Sequence, residues 1–123
     1  MLLMKLEIYL KSWRTWIFIF YVSLVLYLSA QPVSSLSWSF NLWKYDKVVH
    51  FFEYLGMGFL LINALKIKPL KESDWNYAIL FLLIFPIIDE TLQHFTPTRI
   101  PDIMDGIVDI IGGLTGAYLR KYL

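Results

Sequence analysis

Between Trp13 and Gln31 the chain reads WRTWIFIFYVSLVLYLSAQ and carries no charge after Arg14. Three more runs of similar length follow, at about 47–65, 75–95 and 101–119. A helix needs roughly 20 apolar residues to cross a hydrocarbon core about 30 Å thick, and inside lipid every backbone N–H and C=O must be satisfied within the segment or by a closed sheet. None of the runs alternates with a period of two, so they read as helices rather than half-buried strands. The expected fold class is therefore all-α: a polytopic membrane protein forming a bundle of four transmembrane helices, at about 13–31, 47–65, 75–95 and 101–119, in a single domain of residues 1–123. Composition agrees. The chain is 58% hydrophobic, against roughly 45–50% in soluble domains.

The ends of the runs support these limits. Trp13 and Trp16 sit where an interfacial aromatic belt would lie, and Pro32 follows the first run. Pro101 opens the last run at a position where its missing N–H costs little. A basic start and an LSA tripeptide ending at Ala30 also fit a secretory signal peptide. The aromatic residues spread through the run and the long segment before it favour a retained helix. Residues 33–46, VSSLSWSFNLWKYD, are expected along the outer interface.

Orientation follows from the basic residues. Lys5, Lys11, Arg14, Lys66, Lys68, Lys71, Arg120 and Lys121 share one side, while only Lys44, Lys47 and Arg99 fall on the other. By the positive-inside rule both termini are cytoplasmic and the loop at 96–100 faces outward. A formal net charge of +1 provides no nucleic-acid footprint. The absence of cysteine removes disulfides, thiol catalysis and cysteine-based zinc sites.

Polar residues inside such segments are costly, about 2.5–3.5 kcal/mol for a charge at the helix centre, so they are expected to face one another. At about 100° per residue, Asp46, Lys47, His50, Glu53 and Tyr54 share one sector of the second segment. Asp89, Glu90 and Gln93 gather near the outer end of the third. Asp102, Asp105, Asp109, Gly112, Gly113 and Gly116 lie on one arc of the fourth. Gly112 and Gly116 make a GxxxG spacing, read here as close helix packing. Pro86 removes a backbone hydrogen bond three residues before Asp89, which allows a bend. Ion pairs such as Lys47 with Asp89 or Arg99 with Asp102 are available.

The stretches DKVVHFFEYLGMGFLL and DETLQHFTPTRIPDIMDGIVDIIGGLTG resemble the VanZ-like family of small integral membrane proteins. The matching positions are Asp46, Lys47, His50, Phe51, Tyr54, Asp89, Glu90, Gln93, Phe95, Pro97, Arg99, Asp102, Asp105, Gly112 and Gly116, within residues 42–119. Asp109 stands where the family usually has Asn, which adds an ionisable carboxyl deep in the last helix and leaves that role open. His94 lies outside the shared pattern and reads as an interfacial residue. The resemblance implies a role at the cell envelope, linked through the family's name to low-level teicoplanin resistance.

Two functional readings stand beside simple helix pairing. In the first, Asp46, Lys47, His50, Tyr54, Asp89, Glu90, Gln93, Arg99, Asp102, Asp105 and Asp109 line an outward-facing pocket for a membrane lipid or lipid-linked envelope component. Lys47 and Arg99 would serve it as anion donors. In the second, His50, Asp89, Glu90 and Asp105 are candidate acid/base groups of a membrane-embedded hydrolase or transferase, with water activated directly or on a metal held by oxygens and His50. The ligand spacing singles out no metal, and the sequence leaves the cofactor unknown. The surplus of acids over bases argues against helix pairing alone, which would be nearer to neutral.

Overall fold

The chain forms five α-helices in the computed structural model, which describes residues 1–31, 46–97 and 102–123. They are α1 (Leu2–Leu10), α2 (Trp13–Ser29), α3 (Asp46–Leu65), α4 (Glu72–His94) and α5 (Ile103–Tyr122), with no strand among the described residues. The expected segments thus appear as α2 to α5, shifted by one to three residues at most ends. The outer-interface expectation for residues 33–46 and the loop at 98–100 lie outside the described residues, apart from the backbone of Asp46.

α1 was not expected. Its nine residues are too few for a span, and none of them is buried. It meets α2 at a 79° bend, where the Trp16 indole N–H donates to the Leu10 carbonyl at 2.8 Å. Ser12 caps α2 by accepting the Arg14 N–H at 3.3 Å. α4 begins earlier than its apolar run because the Asp74 carboxylate accepts the Lys71 N–H at 3.0 Å, satisfying a donor that the first turn leaves open. It then continues unbroken through the buried Pro86 to His94.

Two helices, α3 and α4, are each long and apolar enough to cross a membrane, and α1 with α2 makes a third if the bent pair counts as one span. This is fewer than the four expected. α2 alone has 17 residues, a rise of about 26 Å. α5 carries Asp105, Asp109, Arg120 and Lys121.

α3 and α5 run parallel and make the closest packing in the molecule. A Cβ on Gly112 would overlap the Phe51 carbonyl oxygen, one on Gly116 that of Leu55, and one on Gly58 that of Gly113. Only hydrogen at these positions lets the backbones meet, which is how membrane helices associate without hydrophobic contrast. The far end of the pair is tied by Arg120 Nε, which donates to Asn63 Oδ1 at 2.9 Å. There the Lys66 ammonium also donates to the Arg120 and Lys121 carbonyls at 3.3 Å each. α4 runs antiparallel to both, with Trp75 edge-on to Tyr118 at 4.9 Å. Leu82 and Phe85 of α4 close the core over Tyr54, Met57 and Ile62 of α3. α2 joins through Val25, through Phe18 against Phe81 at 5.7 Å, and through the Tyr21 hydroxyl, which crosses Gly56 to donate to the Glu53 carbonyl at 2.6 Å.

Candidate functional site

At the end of the bundle where α3 begins, α3, α4 and α5 point polar side chains at one another. The parallel register of α3 and α5 brings Lys47 beside Asp102 and Asp105, and His50 beside Asp109. The Lys47 ammonium donates to Asp102 Oδ2 at 2.9 Å and Asp105 Oδ1 at 2.8 Å. One turn deeper, His50 Nδ1 lies 2.8 Å from Asp109 Oδ1, and its Nε2 lies 3.8 Å from Asp105 Oδ2. Tyr54 is fully buried, and its hydroxyl donates to Asp89 Oδ2 at 2.7 Å across the α3–α4 contact.

Two expectations need correction. Lys47 does not pair with Asp89, because the antiparallel α4 sets Asp89 deeper, opposite Tyr54, while Lys47 sits at the mouth opposite α5. Its two carboxylate partners tie α3 to α5 through Lys47. Glu53, at the edge of its sector, stands beside α2 instead of the cluster: it lines an apolar groove of about 470 Å³ with Tyr21, Leu24, Val25 and Phe52, between α2 and α3.

The remaining residues fall as follows. Glu90 is half-buried and passes over Gly106, whose added Cβ would lie 3.7 Å from Glu90 Cγ. Gln93 is buried one turn beyond Asp89, and His94 is exposed at the end of α4 beside Phe95. Asp102 stands just outside α5, where its side chain caps the helix by accepting the Met104 N–H at 2.9 Å. The hydrogen bond from Lys47 holds its carboxyl below the usual carboxylate range. Arg99 and the side chain of Asp46 lie outside the described residues. Gly106 went unnoticed in the sequence. Its signal was a small residue immediately after Asp105, at the edge of the acidic arc.

Three carboxylate oxygens stay unsatisfied. Asp89 Oδ1, Glu90 Oε1 and Asp109 Oδ2 are all buried and have no hydrogen-bond partner among the described residues. Such atoms are rare in folded proteins, because an unpaired buried acceptor costs about 1–3 kcal/mol and a charged one more. His50, Glu90 and Asp109 each offer a ligand atom, and these atoms lie within 4.8 Å of one another. The arrangement can accept hydrogen bonds, exchange protons through the His50–Asp109 pair, or hold a cation.

The family model described as VanZ/LLP1 matches residues 6–123, essentially the whole chain. Neither the curated proteins nor the solved structures returned a match.

Proposed function

We infer that the chain, which belongs to the VanZ/LLP1 family, is a multi-pass membrane protein of the cell envelope that binds the polar head of an amphiphilic or lipid-linked component. α2 to α5 make the four crossings, both termini are cytoplasmic, and the polar site opens outward. The observation that carries the reading is the set of unpartnered oxygens on Asp89, Glu90 and Asp109. Side chains that served only to tie helices together would pair with one another. These three oxygens have no donor among the described residues, and a ligand bearing ammonium or hydroxyl groups would complete them. The family's association with teicoplanin resistance fits a protein that masks or alters a lipid-bearing envelope component, by analogy.

Native mass spectrometry of the protein extracted in mild detergent with its membrane lipids tests this. Wild type should retain a lipid with an amine- or hydroxyl-bearing head, and Glu90→Gln, folded to the same extent, should lose most of it. Equal occupancy in the two proteins would defeat the reading.

A catalytic alternative is favoured by one contact. Asp109 orients the His50 ring at 2.8 Å, as a carboxylate orients a general base. Asp109, rather than Asp105 at 3.8 Å, would be the orienting partner. Chemical turnover of the retained lipid, lost in His50→Gln, would select it.

A further inference from the structure

We propose that His50, Glu90 and Asp109 form a binding site for one divalent cation of the Zn²⁺ or Mn²⁺ class. The proposal rests on reading the polar cluster as a ligand site and specifies part of what it holds. Three observations converge. The ligand atoms of the three residues lie within 4.8 Å of one another. Two of the three, Glu90 and Asp109, carry a buried oxygen with no partner among the described residues, and Asp109 is fully buried. The trio also comes from three different helices, so no local turn explains its convergence.

The distances suit an ion. Two donors each about 2.1 Å from a metal are about 3.0 Å apart at a right angle and about 4.2 Å apart at most. His50 Nδ1 and Asp109 Oδ1 are 2.8 Å apart, so a metal replacing the proton they now share needs little more than a small widening there. Glu90 reaches the site over Gly106, with a flexible side chain that can close the rest. One imidazole with two carboxylates matches the preferences of Zn²⁺ and Mn²⁺ better than an all-oxygen set for Ca²⁺ or a thiolate set for Cu⁺.

The surroundings supply the outer partner that a ligating histidine commonly uses. With Nδ1 on the metal, Nε2 of His50 lies 3.8 Å from Asp105 Oδ2, an ion-pair distance that a small shift would shorten to a hydrogen bond, and Lys47 fixes Asp105 from its other side at 2.8 Å. Three protein ligands leave at least one coordination position open. An oxygen of the bound head group would take it.

The test uses full-length protein in detergent, stripped of metal and lipid, then titrated with ZnCl₂ or MnCl₂ alone and followed by elemental analysis and thermal unfolding. One equivalent per chain should bind saturably and raise Tm. Asp105→Asn should weaken binding by roughly 10–100-fold, and Asp109→Asn and Glu90→Gln by more. Glu90 is only half-buried, so Glu90→Gln should fold as wild type without metal and remains informative if Asp109→Asn does not fold. No saturable uptake of either metal by wild type, or uptake unchanged in a folded Glu90→Gln, overturns the proposal. Because no lipid is present, absence of metal binding alongside Glu90-dependent lipid retention would remove the cation and leave the head-group reading intact. Metal binding without lipid retention would do the reverse.

Discussion

Tyr54 and Asp89 join α3 to α4 inside the bundle by a 2.7 Å hydrogen bond between two side chains that are almost wholly buried. Removing the hydroxyl while keeping the ring strands Asp89 with neither oxygen partnered, since Oδ1 already has no donor. Tyr54→Phe should therefore cost about 1–3 kcal/mol, the penalty of an unsatisfied buried acceptor. Tryptophan fluorescence during thermal unfolding in detergent would measure it, and unchanged stability would mean that Asp89 finds another donor. The sequence identified Tyr54 and Asp89 as site residues but did not pair them. A helical projection assigns each side chain to a face; it carries no information about the depth at which an antiparallel neighbour lies. For the same reason it set Lys47 against Asp89, and it grouped Glu53 with the cluster although that residue lines the groove between α2 and α3. His50 and Asp109 were both named as candidate ligand-binding residues, yet their direct contact needed the parallel offset of α3 and α5.

The glycines of α5 act at the scale of helices. Gly→Ala ordinarily favours a helix by about 1 kcal/mol. At Gly116 the new methyl would meet the Leu55 carbonyl, and at Gly58 that of Gly113, so backbone rather than a flexible side chain would have to retreat. Both substitutions should destabilise the protein, by at least the roughly 1–3 kcal/mol that overpacking costs. Gly106→Ala is the internal control, because its Cβ would make an ordinary 3.7 Å contact with Glu90. It should be neutral or stabilising in the same unfolding measurement. Helix limits were legible to within one to three residues because apolar runs mark them, while the caps that set the starts of α2 and α5, Ser12 and Asp102, were not read from the sequence. α1 was not, because nine residues with no buried face carry no signal of burial for a sequence to display.

At the scale of the whole molecule, the basic residues and the polar cluster lie at opposite ends of the bundle. Lys66, Arg120 and Lys121 meet at one end, and Lys47, Asp102 and Asp105 at the other. The proposed topology puts the first end in the cytoplasm. The chain has no cysteine, so single cysteines can be introduced without background. An impermeant thiol reagent applied to intact cells should label Ser35→Cys and Thr98→Cys and leave Lys68→Cys unmodified; labelling at Lys68 would invert or dismantle the arrangement.

The parallel pairing of α3 with α5 also imposes an order on biosynthesis. In the proposed topology, two neighbours that point the same way must be separated by a full return crossing, here α4, and α3 is inserted before α5 exists. His50 and Asp109 are 59 positions apart, an interval of about 3–12 s at typical elongation rates of roughly 5–20 residues per second. Under that topology, α3 would wait throughout the interval in or beside the insertion machinery with Lys47 and His50 lacking their α5 carboxylates. A ribosome that stalls before Asp105 would leave behind a half-made membrane protein with Lys47 and His50 of α3 uncovered, a natural target for membrane quality control.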